Sequence, residues 1–251
     1  MYALITGASS GIGKEIARQL AVKKINLILV ARRIDRLNEL KIELTEKHGI
    51  EVVVYGLDLS VQENCHKLHQ DTLSFKPEIV INNAGFGKVG HFDKIDLDVE
   101  LNMLDLNIKA LHTLTKLFVS SMEKGVILNV GSMAAFLPTP LLATYAASKA
   151  YVVSFSRAVN FELKKQNRDL SVLVLCPGPV ATEFGQVAEA GELGLPGISA
   201  EECARVAING IFRKKPQIIP SFQMKFLHLL VRFVPTSLIL KASYKIQSKK
   251  R

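Results

Sequence analysis

An α/β architecture, a doubly wound parallel sheet of about seven strands with helices on both faces, follows from three features of the sequence. Short strand-like runs alternate with longer helical ones along the chain, which argues for parallel strands joined by right-handed crossovers. Several of the strand runs are almost wholly apolar, as strands covered on both faces should be. The first strand run ends in a glycine-rich turn that opens a helix.

In chain order, the strand runs are Tyr2–Thr6, Asn26–Ala31, Glu51–Gly56, Ile79–Asn82, Val126–Val130, Ser171–Cys176 and Gln217–Ile219. Helical patterns occupy 11–23, 34–48, 60–74, 96–122, 142–166 and 201–213. Residues 183–200 hold four glycines, one proline and few large apolar side chains, so they read as a mobile loop over a substrate site rather than a domain boundary. One domain over 1–220, loop included, is expected, with an extension at 221–251. No solenoid repeat is present.

The 251 residues suit a single domain of this class, and 48% hydrophobic with 22% charged residues excludes a disordered chain. Cys65, Cys176 and Cys203 lack CxxC spacing, so neither a disulfide framework nor a metal site is expected, and a reducing, cytoplasmic setting is. The six histidines show no metal-ligand spacing either. Met1 runs directly into a strand pattern with no signal-peptide features. No apolar run approaches the roughly 20 residues of a membrane span. The net charge of +9 is concentrated at one end: residues 203–251 carry 11 of the 32 Lys/Arg and no Asp or Glu, leaving 21 basic and 23 acidic residues before them. That localisation, with basic residues interleaved among large apolar ones, speaks against nucleic acid as a partner.

The turn after the first strand reads Thr6-Gly7-Ala8-Ser9-Ser10-Gly11-Ile12-Gly13. Gly7 permits a tight turn, Gly11 a close backbone approach, and Gly13 packing of helix on sheet. Helix N–H groups and the positive end of the dipole then face a pyrophosphate. Its spacing, GxxxGxG, differs from the usual GxGxxG fingerprint and lacks the Lys-Ser/Thr of a P-loop. Twenty residues after Gly11, at the end of the second strand, Ala31 stands where an acid would bind the ribose 2′-OH of NAD. Arg32 follows at once and can pair with a 2′-phosphate through its planar fork, so the expected cofactor is NADP(H).

Four further segments accompany this turn: Asn82-Asn83-Ala84-Gly85, Asn107, Ser132, and Tyr145-Ala146-Ala147-Ser148-Lys149. With it, they make residues 1–182 resemble the short-chain dehydrogenase/reductase family, in its branch of about 250-residue subunits. YxxxK alone is a weak signal, but the ordered set is specific. The resemblance implies a Rossmann-type domain, often dimeric or tetrameric, that interconverts a carbonyl and an alcohol by hydride transfer.

Tyr145 and Lys149, four apart on a helical pattern, share one face. A lysine ammonium one turn away, with the positive nicotinamide of the oxidised cofactor, is expected to favour the phenolate and bring a pKa near 10 toward working pH. The resemblance implies that Tyr145 exchanges the proton with the substrate oxygen and that Lys149 also holds the nicotinamide ribose. Ser132, thirteen residues before Tyr145, would hydrogen-bond the same substrate oxygen. Asn107 matches an asparagine that bends its helix and orders a relay water. The cofactor set is completed by Gly7, Ser9, Ser10, Gly11, Ile12 and Gly13 on the turn and Asp58 at the adenine amino group. Asn83, Ala84 and Gly85 lie beside the adenosine ribose; Pro177 and Gly178 lie after the sixth strand; Val180 (through its backbone) and Thr182 lie at the carboxamide. Phe86, Met133, Phe136, Phe184, Val187, Leu193 and Leu195 are candidate linings for an apolar, lipid-like, steroid-like or aromatic carbonyl.

In the extension, Phe222, Phe226, Leu229, Leu230, Phe233 and Val234 fall on one helical face, extended by Met224, Leu227 and Val231. Pro235 ends that pattern, Leu238-Ile239-Leu240 begins another, and the chain closes on Lys249-Lys250-Arg251. A lid over the cleft, a subunit interface and an interfacial membrane helix are all open readings. The first two are preferred, and either would bury that face. Two rival functions also stand: a non-catalytic NADP(H)-binding sensor, against which the intact catalytic set argues, and a surface-binding protein driven by the basic tail.

Overall fold

A computed structural model describes residues 1–188 and 197–248. The first half runs β1 (Tyr2–Thr6), α1 (Gly11–Val22), β2 (Asn26–Ala31), α2 (Ile34–His48), β3 (Val52–Gly56) and α3 (Gln62–Thr72). The second runs β4 (Ile79–Asn82), α4 (Leu97–Leu104), α5 (Leu111–Ser121), β5 (Gly125–Val130), α6 (Ala143–Lys165) and β6 (Leu170–Leu175). There follow β7 (Val180–Ala181), α7 (Phe184–Val187), β8 (Ile198–Ser199), α8 (Ala200–Phe212), β9 (Gln217–Ile218), α9 (Phe222–Leu230) and α10 (Thr236–Ser248).

Seven strands pair in parallel in the order β3-β2-β1-β4-β5-β6-β9. The chain winds outward from β1 to β3, then returns to the other side of β1 with β4. At such a reversal the loops leaving the two central strands part, and a crevice opens at their carboxyl ends. Alternate residues of each strand feed opposite layers. Ala3 and Ile5 pack with Ile16, Leu20, Leu40 and Ala207, under α1, α2 and α8. Leu4 packs with Leu68, Leu114, Phe118 and Leu163, under α3, α5 and α6. Both faces being covered is why the strand runs are so uniformly apolar.

The helix expected over 96–122 is broken into three. Between α4 and α5, Asp105–Ala110 form a π-helical turn, a wide-turn insertion that often marks functional positions. β7 and β8, a two-stranded parallel pair of two residues each, were not expected, being too short for periodicity to reveal. They bracket the glycine-rich stretch, where Leu193 and Leu195 lie outside the described residues. Among the described residues, no helix is long and apolar enough to cross a membrane.

Within the single chain, the extension departs from the lid expectation. Phe222, Phe226, Leu229, Leu230, Phe233 and Val234 are all exposed within the chain. The docked side of α9 is that of Met224 and Leu227, which join Met133, Phe136 and Ile219 in a third cluster. The helix is apolar on both sides, so sequence alone could not choose. A hollow at Gly178 chose, since it receives the Met224 side chain.

Candidate active site

At the mouth of the crevice, the turn after β1 is held in shape by backbone permissiveness and close contact. Gly7 takes φ +66°, and a β-carbon on Gly13 would lie 2.5 Å from the Gly7 carbonyl oxygen. No other residue fits at position 13 without moving the turn. α1 begins at Gly11, its N-cap Ser10 makes no side-chain capping bond, and no acid sits in its first turn. The first N–H groups of the helix therefore face the crevice as ready anion donors. Thr6 and Asn83 tie this turn to the loop after β4. Thr6 Oγ1 accepts from the N–H of Asn83 and of Ala84, both at 3.0 Å. The Asn83 amide donates to the carbonyls of Thr6 at 3.0 Å and Gly7 at 3.2 Å.

Deeper along the same edge lie Tyr145 and Lys149 on α6, Ser132 just after β5, and Asn107 in the π-helical turn. Tyr145 and Lys149 are buried. The Lys149 ammonium donates to the Val130 carbonyl at 2.9 Å and lies 5.7 Å from the centroid of the Tyr145 ring. Ser132 Oγ accepts from the Ala134 N–H at 3.1 Å, which fixes the hydroxyl at the start of a short 3₁₀ turn. Asn107 is fully buried. Its amide donates to the Phe86 carbonyl at 2.9 Å and to Ser148 Oγ at 3.2 Å, while its Oδ1 accepts from the Phe86 N–H at 3.1 Å. The π turn thus aims an amide at the strand β4 loop and pins that loop beside α6. The aromatic ring of Phe184 leans on Tyr145 with centroids 5.3 Å apart, giving the catalytic candidate an apolar wall.

Burial sets the charge state of this pair. It pushes the Tyr145 phenol up to about 12, against a smaller downward pull from a hydrogen bond with Ser132. It also pulls the Lys149 ammonium down to about 8. In the chain without cofactor, desolvation penalises both charged forms and so moves the two groups in opposite directions. At neutral pH Tyr145 is a phenol and Lys149 is a cation.

Of the remaining cofactor candidates, Ser9, Ser10, Gly11 and Thr182 border an open groove of about 510 Å³, together with Lys14 and Arg36 among others. Arg32 points outward, 65% exposed, with Nη1 3.8 Å from an Asp58 carboxylate oxygen. Asp58 is further held through Ser60, whose N–H and hydroxyl donate to Oδ1 at 3.0 and 2.8 Å. Arg33, next to Arg32 in the chain and given no role from the sequence, lies across the glycine turn. Arg33 Nη2 donates to Ser10 Oγ at 2.9 Å and to Ser9 Oγ at 3.2 Å. Glu183, also unremarked in the sequence, accepts from Arg33 at 2.9 Å and Arg36 at 2.6 Å. Those two guanidiniums hold its carboxyl down at about 2. Met133 N–H donates to the Pro177 carbonyl at 2.9 Å, and Val180 is fixed by its pairing with Ile198. Thr182 approaches Gly11, where a β-carbon would lie 3.1 Å from its Cγ2. Ile12 packs on the core beneath the turn. A long dinucleotide fits this layout: uncapped helix donors and a cluster of guanidiniums at one end, Tyr145 and Lys149 at the other. The signal for Arg33 was the Arg32-Arg33 doublet itself. Nothing in the local pattern marked Glu183.

The family model for short chain dehydrogenase matches residues 1–193. A very-long-chain 3-oxoacyl-CoA reductase of Anas platyrhynchos is 33% identical over 196 residues, 75% of this chain and 62% of that protein. The chain spans only 54% to 62% of the length of such reductases. An 11-beta-hydroxysteroid dehydrogenase-like protein 3 of Arabidopsis thaliana is 32% identical over 241 residues, 92% of this chain and 77% of that one. Among solved structures, a short-chain dehydrogenase from Sphingobium yanoikuyae in complex with NADPH is similar with a TM-score of 0.81 at 31% identity, over 88% of each chain.

If Asn107 is the pin for the loop after β4, Asn107→Ala leaves the Phe86 N–H and carbonyl without their partner. The expected cost is about 1–3 kcal/mol, read as a fall of several degrees in melting temperature. Asn107→Asp keeps the acceptor and should lose less. Equal melting of Asn107→Ala and the native protein would remove this role.

Proposed function

The chain belongs to the short-chain dehydrogenase/reductase family, and from that premise we propose that it is an NADP(H)-dependent oxidoreductase interconverting a carbonyl and an alcohol. The observation that carries the reading is the buried Tyr145–Lys149 pair, with Ser132 near the phenol, on the edge of the sheet that also bears the glycine turn. In carbonyl reduction the Tyr145 hydroxyl gives its proton to the substrate oxygen, and in oxidation the phenolate takes it back. Ser132 orients that oxygen, and the Lys149 ammonium holds the ribose nearest the reacting carbon. A bound nicotinamide dinucleotide supplies the hydride. Burial keeps Tyr145 in its proton-bearing form at neutral pH, which is the form that reduction uses.

The preference for NADP(H) rests on charge. Ala31 puts no carboxylate at the end of β2, Arg32 lies beside Asp58, and Arg33 reaches Ser9 and Ser10 on the glycine turn. An apolar substrate is supported by Phe184 against Tyr145 and by the buried Met133. Similarity to 3-oxoacyl-CoA reductases and hydroxysteroid dehydrogenase-like proteins points toward lipid-like carbonyls.

Three outcomes follow. Tyr145→Phe should abolish NADPH-dependent carbonyl reduction while leaving NADPH affinity nearly intact, because the ring still packs and only the proton donor is lost. Retained turnover in that variant would dismiss Tyr145 as the acid. Arg33→Ala and Arg32→Ala should each weaken NADPH by about tenfold to a hundredfold, the worth of a charge-assisted hydrogen bond, and NADH far less. A native dissociation constant lower for NADH would contradict the cofactor assignment. The third concerns pH: Lys149 is cationic below about 8 and neutral above, whereas Tyr145 stays protonated to about 12. So kcat/KM for NADPH, which reports the cofactor-free enzyme, should be level to pH 7 and fall as pH rises through about 8. A profile flat to pH 10 would show that the Lys149 charge is not needed.

A further inference from the structure

We propose that α9 and α10 form a docking surface for an anionic lipid bilayer, lying in the plane of the headgroups. At about 100° per residue, Phe222, Phe226, Leu229 and Leu230 share one face of α9, and Met224 and Leu227 the opposite one. The second face is already used. Met224 is 9% exposed and closes over Gly178, where a β-carbon would stand 2.7 Å from its Cγ. The first face is open to solvent: Phe222 is 81% exposed, and Phe233, just past the helix, 80%. α10 buries no residue, and Leu238, Leu240, Tyr244 and Ile246 are exposed along it. A helix of 13 residues with so little packed on it is marginal in water. Its apolar side calls for a cover.

Charge identifies the cover. Residues 203–251 hold 11 Lys/Arg and no carboxylate side chain. Lys225, Arg232, Lys241 and Lys245 are exposed among the apolar residues of the two helices. A second copy docking through the same face would oppose these cations across a self-complementary contact, with no acid in the segment to separate them. An acidic bilayer satisfies both halves of the surface. Phenylalanine and leucine sink to the acyl boundary while lysine and arginine stems reach back to the phosphates. The negative surface potential attracts each base within a Debye length. Two short helices with this pattern lie in the headgroup plane, so the attachment they make is to the surface.

The chain contains no tryptophan, so Phe226→Trp places a single reporter on the outward face. The full-length protein is mixed with vesicles of phosphatidylcholine alone or of phosphatidylcholine with phosphatidylglycerol. Co-sedimentation with the anionic vesicles only, a blue shift of the tryptophan emission, and release by high salt are expected. Lys225→Gln combined with Arg232→Gln should weaken capture by about 25-fold, since each base near an anionic surface contributes about fivefold. Phe222→Ser combined with Phe233→Ser should abolish capture while melting stays unchanged, because both rings are already in solvent. Equal capture by both vesicle types, or none by the anionic ones, overturns the proposal. A dimer that the two serines convert to monomer, with no vesicle capture by the native chain, overturns it in favour of a second copy.

Discussion

The carboxyl edge of this sheet depends on one joint, the fastening of the glycine turn after β1 to the loop after β4. Thr6 and Asn83 make it, four hydrogen bonds passing between two segments more than 70 residues apart. β1 and β4 are neighbours only because the direction of winding reverses between them, and the same reversal drives the loops above them apart. A crevice opens where the joint holds its floor. The Asn83 amide also fills the space that a side chain on Gly13 would need, so the start of α1 is pressed against the joint and its free N–H groups are aimed along the crevice.

A second constraint propagates from that floor. The loop after β4 is gripped once by Thr6 and again, at Phe86, by Asn107. An ordinary α-helical turn would carry Asn107 past the loop. The π-helical turn at Asp105–Ala110 swings it inward, where its amide also meets Ser148, one residue before Lys149. Ser148 in turn donates to the Tyr145 carbonyl at 2.7 Å. The glycine turn, the loop after β4 and α6 are therefore joined through one series of buried and half-buried hydrogen bonds. Such networks are rigid because each unmet partner would be costly.

Rigidity of this kind allows a charged lysine to sit beside a tyrosine away from water. Desolvation moves the two groups in opposite directions, Tyr145 up and Lys149 down, and the Val130 carbonyl is the fixed dipole that receives the ammonium. At neutral pH the pair is phenol and cation, as the free groups would be, but burial brings the ammonium close to losing its proton, and Phe184 leans on the tyrosine ring.

The sequence determined whatever depends on neighbours along the chain. Strand and helix positions followed from apolar periodicity, the turn from its glycines, and the candidate catalytic set from ordered spacing around Tyr145 and Lys149. The π turn escaped that reading, because one extra residue in a helical turn leaves the apolar pattern of 96–122 almost unaltered. So did β7 and β8, two residues each. Tertiary structure decided what depends on distant partners. It laid Arg33 over Ser9 and Ser10 while Arg32 turned to Asp58, since a long flexible side chain goes to whichever charges the fold brings near. It set the direction in which burial moves Tyr145 and Lys149, because desolvation is a property of the whole surrounding volume. It also chose the side of α9 that docks. A helix apolar on two faces carries no instruction about which of them docks, and the hollow at Gly178 exists only once the chain around it has packed.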